Sequence, residues 1–169
     1  MNNFNPRIYV ACLASYNNGI LHGKWLDADQ SVDDINNEIQ VMLKESPMPN
    51  AEEFALHDYE DFGDIKLDEY ESIETIVAIV NFIKEHEEAG MAILEYNGCD
   101  LDEAKNYMEE YCGVFNSEED FARELMNDCY EIPDYLICYI DYEAFARDLF
   151  CSDYFSIEKG YKLHVFRHI

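Results

Sequence analysis

Residues able to do chemistry are plentiful in this 169-residue chain, but few stand at a working spacing. The five histidines (His22, His57, His86, His164 and His168) are scattered, and none falls in a metalloprotease or other ligand spacing. His57-Asp58 sets a base beside an acid that would orient it, yet chance supplies such a pair in a chain this rich in both types. No Gly-rich phosphate loop and no G-x-S-x-G elbow is present. The six cysteines (Cys12, Cys99, Cys112, Cys129, Cys138 and Cys151) form no C-x-x-C pair and no cluster of zinc spacing. Calcium loops also fail. Asp27, Asp29, Ser31, Asp33 and Glu38 match an EF-hand, but Val32 stands where the sharp turn needs glycine. The window Asp58, Glu60, Gly63, Asp64 and Glu69 has that glycine, but places Phe62 where an oxygen ligand belongs. The chain is therefore read as no enzyme, with no metal and no cofactor.

What remains is carboxylate chemistry in bulk. There are 37 Asp and Glu against 11 Lys and Arg, a net charge of −26. A potential of that sign repels nucleic acid and anionic membrane and attracts strongly basic surfaces. Residues 1–50 carry 6 acids and 3 bases, residues 51–110 carry 19 and 3, and residues 111–169 carry 12 and 5, so the middle third is the densest. A halophilic surface would not concentrate its acids in this way. Nor would an acidic tail carry 13 Tyr and 10 Phe, which supply a core and require folding. Duplex DNA bears one phosphate per about 1.7 Å of axis, so this net charge equals roughly 13 base pairs, or about 44 Å of duplex. A sphere of this chain length is only about 40 Å across. Matching DNA's linear charge density therefore requires an elongated protomer with its acids on its long faces.

The elements that would position these acids follow from patterning. Arg7 to Ala14 reads as a strand, Tyr16-Asn17-Asn18-Gly19 as a hairpin turn, and Ile20 to Leu26 as the returning strand. Ser31 caps a helix bearing Val32, Ile35, Ile39, Met42 and Leu43, which Pro47 and Pro49 stop, and Phe54 to Tyr59 resumes an extended segment. Ser72 caps a helix with Ile73, Ile76, Val77, Val80 and Ile83 on one face, ending before Gly90. Further helices are expected from Met91 to Asn97 with Gly98 beyond the end, and from Leu101 to Cys112 between Asp100 and Gly113. The next runs from Glu118 to Cys129 behind Ser117 and Asp120, and the last contains Tyr139 to Asp148. Tyr154 to Ile157 and Tyr161 to Arg167 form a terminal hairpin. Strands and helices are grouped rather than alternating, which predicts an α+β fold. The expected division is three small modules strung end to end: a β-rich one with a helix (1–64), an acidic helical one (65–112) and an α+β one (113–169). With no signal peptide and no apolar run of membrane-spanning length, a soluble cytoplasmic protein with reduced thiols is expected.

Four strings in order resemble the antirestriction proteins called ArdA, over nearly the whole chain. The first is Pro6-Arg7-Ile8-Tyr9-Val10-Ala11 with Tyr16-Asn17 and Leu21-His22-Gly23 to Trp25; the second is His57-Asp58-Tyr59-Glu60 with Glu69-Tyr70-Glu71-Ser72. The third is Leu94-Glu95-Tyr96, Gly98 and Asp100-Leu101-Asp102-Glu103-Ala104, similar to the segment often called the antirestriction motif. The fourth is Tyr139-Ile140-Asp141-Tyr142-Glu143-Ala144, Arg147-Asp148-Leu149 and His164-Val165-Phe166-Arg167. Ser15, where an acid is expected, is a departure, as are Cys99 and Cys112. The resemblance implies an elongated, curved homodimer carried by mobile genetic elements, which mimics bent B-form DNA and blocks type I restriction-modification enzymes. Carboxylates would then stand in for phosphates against the Lys and Arg of the methyltransferase core's DNA groove. The acids expected there are Glu95, Asp100, Asp102, Glu103, Glu109, Glu110, Glu118, Glu119 and Asp120, with Tyr96, Gly98 and Leu101 shaping the motif. The apolar last third predicts a dimer seam within residues 135–169, anchored by Tyr139, Tyr142, Phe145 and Leu149. The rival reading is an acidic adaptor or chaperone that binds a basic protein without DNA-like geometry.

Overall fold

Strand β1 (Arg7–Cys12) alternates so that Ile8, Val10 and Cys12 face inward with no exposed surface, and it forms the centre of the first sheet. In this computed structural model, which describes residues 4–169, strands β2 (Gly23–Asp27) and β3 (Phe54–Glu60) flank it, both antiparallel, in the order β2-β1-β3. The expected hairpin differs in detail. The strand stops at Cys12 and a short helix, α1 (Leu13–Asn17), follows. The Asn18 side chain donates to the Ala14 carbonyl, and Gly19 takes a left-handed φ of 76°, so the turn signal closes a helical turn. Strand β2 consequently begins at Gly23 rather than Ile20. A side chain at Gly23 would lie 2.5 Å from the Val10 carbonyl oxygen, and glycine is the residue that allows this approach. Ser15 is fully buried and hydrogen-bonds Ser46 at 2.8 Å, a site where a carboxylate would have to be desolvated.

Helix α2 (Val32–Lys44) starts at Ser31, whose hydroxyl accepts from the Asp34 amide, and buries Ile35, Ile39, Met42 and Leu43 against this sheet. Helix α3 (Ile73–Tyr96) is capped by Ser72 and buries Ile73, Ile76, Val80 and Ile83 of the expected face plus Ile79 and Phe82, while Val77 is half-buried. Its break is at Glu87 (φ 52°, ψ −130°), not before Gly90, and Gly90 is itself helical. The described residues form two compact units, the first ending at Glu87 and the second Glu88–Ile169.

The second unit is built on strands β4 (Tyr111–Phe115), β5 (Tyr154–Lys159) and β6 (Lys162–Arg167), antiparallel in the order β4-β6-β5. The terminal hairpin is the expected one. Strand β4 is not: helix α4 (Leu101–Glu109) ends three residues short of Cys112, and Gly113 sits within the strand at a shift of register against β6. Tertiary pairing with β6 decides this segment over its local pattern. Helix α5 (Glu118–Cys129) has the expected bounds, with Ser117 as its cap. The single helix expected around Tyr139 is instead α6 (Asp134–Ile137) and α7 (Tyr142–Phe150). The Asp141 carboxylate accepts from the Ala144 amide and restarts the helix, leaving Tyr139 between the two. The core holds Val165, Phe166 and Phe121, whose ring meets those of Phe150 and Tyr154 edge-on. These grouped helices and small antiparallel sheets are the expected α+β fold.

Candidate functional site

Several of the carboxylates gather at helix starts, where the backbone favours negative charge. At the start of α4, Asp100 accepts from the amides of Asp102 and Glu103 at 3.0 Å each, and both of those acids stand in the first turn. At the start of α5, Ser117 accepts from the Asp120 amide at 3.1 Å, with Glu118, Glu119 and Asp120 in the first turn. Unpaired amides and the positive end of the helix dipole offset part of the repulsion among such neighbours. Glu109 and Glu110 lie at the other end of α4, where the dipole opposes them. Asp102 and Glu109, like Glu103 and Glu110, are seven residues apart and share a face about 10 Å long.

The nine acids are not equivalent. Asp100, Asp102, Glu103, Glu109, Glu119 and Asp120 are exposed, and Glu110 and Glu118 are half-buried. Glu118 accepts from the Ser156 hydroxyl at 2.9 Å, and Glu119 pairs with Arg123 at 2.7 Å. Glu95 differs in kind. Both of its oxygens accept from the Lys159 ammonium at 2.7 Å, and its side chain is only 15% exposed, so its charge is engaged inside the unit. Beside it Tyr96 stacks on Phe155 at 4.9 Å. Gly98 follows with φ +70°, and the Cys99 amide returns to the Leu94 carbonyl to end the helix. Leu101 is half-buried in the next turn.

Two acids outside the expected set, Glu124 and Asp128, stand in line with Asp120. Asp120, Glu124 and Asp128 recur every fourth residue on α5, all exposed, and line a groove of about 590 Å³ with Val114 and Asn116. Their four-residue spacing, about 6 Å along the axis, was the available signal. Among the expected seam residues, Tyr139 is 82% exposed, and Phe145 and Leu149 are half-buried. Tyr142 is buried in its own unit beneath the Arg123 guanidinium, 4.3 Å from its ring. Tyr130, Tyr135, Leu136 and Ile137, in the segment leading to Tyr139, present further exposed apolar surface.

Charge is divided evenly between the units. Residues 1–87 carry 18 acids and 5 bases and residues 88–169 carry 19 and 6, a net −13 each. The ion pairs found among the described residues engage Asp29, Glu38, Glu60, Glu95, Asp102 and Glu119. With 11 bases for 37 acids, most of the field is left uncompensated. No helix among the described residues is long and apolar enough to cross a membrane. No curated protein sequence matches the chain. The model of the antirestriction protein family ArdA matches residues 8–163, and the four strings, the capped acidic helices and this match together place the chain in the ArdA antirestriction family.

Proposed function

We propose that the protein inhibits type I restriction-modification enzymes by occupying the DNA groove of their methyltransferase core, its carboxylates standing where phosphates would bind. The observation that carries this reading is the set of exposed acids held on the capped ends of α4 and α5 within a unit of net −13. Carboxylates on helices are fixed in space as phosphates are, whereas those of a tail are not. They meet Lys and Arg through charge-assisted hydrogen bonds and offer no base edges, so inhibition does not depend on the enzyme's recognition sequence. The protein acts in the cytoplasm as a homodimer, without cofactor, nucleic acid or membrane. Tyr139 and the exposed apolar side chains of the segment leading to it supply the seam. The test is a cleavage assay on unmodified DNA with a purified type I enzyme, titrated with the protein at rising salt. Protection that weakens steeply with salt is expected, and salt-independent protection overturns the electrostatic mechanism.

A further inference from the structure

A cleft of about 780 Å³ opens in the second unit between the first turn of α5, one side of α7 from Glu143 to Phe150, and the β5–β6 hairpin. Ala146, Phe150 and Leu163 give it an apolar lining. Glutamates reach it from three elements: Glu118 from α5, Glu143 from α7 and Glu158 from β5. A fourth, Glu119, is already paired with Arg123. Two cations, Arg147 and Lys162, share the cleft, and the Lys162 ammonium is held by the Asn116 side chain at 2.6 Å. With Glu119 answered by Arg123, three carboxylates stand against two cations, and the cleft keeps a net charge of one negative unit. At the tip of the hairpin stands Tyr161, 95% exposed. A carboxylate surface that only imitated phosphates would need neither the apolar lining nor the aromatic ring.

We infer that this cleft receives an arginine side chain from the basic surface of the inhibited enzyme. This rests on the decoy reading and deepens it. The aliphatic stem packs on Phe150 and Leu163, the guanidinium meets the Tyr161 face, and Glu143 and Glu158 accept its hydrogens. Arginine fits better than lysine because its planar, weakly hydrated head makes stacked and forked contacts together. Charge complementarity selects the occupant.

Cys151 lines the cleft and is exposed, so Cys151→Trp fills it without changing net charge. Binding to a purified type I methyltransferase is expected to weaken about fivefold or more, the scale of one cation–π and hydrogen-bonded contact. Val41→Trp on α2, outside the cleft, serves as the charge-matched control and is expected to bind as wild type. In parallel, backbone amide shifts are followed while the wild-type protein is titrated with N-acetyl-arginine methylamide or its neutral citrulline counterpart. Shifts at Glu143, Ala146, Phe150 and Leu163 with the arginine probe alone, lost in Cys151→Trp, support the proposal. Undiminished methyltransferase binding by folded Cys151→Trp overturns it, as do arginine shifts spread over all the acidic residues. If the wild type does not bind the methyltransferase at all, the decoy reading fails, while the amide shifts still decide whether the cleft takes a guanidinium.

Discussion

Replacing Glu95 by Gln is expected to weaken the fold more than it weakens inhibition. Both oxygens of Glu95 accept from Lys159 at 2.7 Å, and the two side chains are 15% and 27% exposed. A hydrogen bond to a charged group contributes about 1.5–3 kcal/mol, and cutting one partner leaves the other partly desolvated. Discounted for the exposure that remains, the loss is about 2 kcal/mol. In a folding unit of this size each kcal/mol moves Tm by about 4–8 °C, so a fall of about 8–16 °C is expected. Glu103→Gln removes the same charge from an exposed side chain and is the control, with Tm unchanged or slightly raised as self-repulsion eases. Lys159→Met should lower Tm similarly, and the double variant should recover part of the loss. Calorimetry reads stability, and a cleavage-protection titration below the transition reads inhibition, which should change by less than about threefold. If Glu95→Gln keeps the wild-type Tm and loses inhibition several times more than Glu103→Gln, Glu95 is a contact residue and this reasoning is wrong.

Joint neutralisation of Asp100, Asp102, Glu103, Glu109 and Glu110 should reduce inhibition stepwise, each step worth roughly 0–1 kcal/mol; one conservative change that abolishes inhibition in a folded protein would point to a localised site. Asp100→Asn retains a capping oxygen, whereas Asp100→Ala should cost about 1 kcal/mol in thermal unfolding. Gly98→Ala meets no atom within 4 Å, so its expected cost of about 1 kcal/mol is purely that of φ +70°, and an unchanged denaturation midpoint would contradict that backbone. His164 is buried with its Nδ1 bonded to the Tyr111 hydroxyl, and burial pushes its pKa down while nearby Glu88 opposes this. The unfolded chain therefore takes up the proton first. The contribution of this group is complete above about pH 6.5 and is lost as pH falls through the lowered value, so wild type should lose more stability than His164→Gln between about pH 7 and 5. Sedimentation should give a dimer at micromolar concentration that Tyr139→Asp dissociates, and a wild-type monomer would remove the proposed seam.

Helices whose ends carry their own chemistry were legible in the sequence. Ser31, Ser72, Asp100 and Ser117 mark starts that the structure keeps, since each cap satisfies an amide locally. Strand β4 was not legible, because Tyr111 to Phe115 contains a glycine and its identity depends on β6, some fifty residues later. The break at Glu87 was misplaced for a related reason: no Gly or Pro marks it, and Gly90, the nearest breaker, is accommodated inside the helix. For the surface, composition announced the excess of carboxylates but not their pairing. Glu95 and Lys159 are 64 residues apart, and nothing in either segment distinguishes Glu95 from Glu103. Tyr139 and Tyr142 were likewise alike by spacing, and only the cap at Asp141 and the guanidinium of Arg123 send one outward and the other inward.

In the decoy mechanism the protein and DNA compete for one groove. The decisive measurement follows a labelled duplex bound to a purified type I methyltransferase by fluorescence anisotropy as this protein is titrated in, with duplexes that carry or lack the recognition sequence. Complete displacement of either duplex is predicted, with a midpoint that shifts with duplex concentration as simple competition requires. A ternary complex, in which the protein binds while anisotropy stays at the DNA-bound value, would contradict the decoy account and favour an acidic adaptor acting elsewhere on the enzyme.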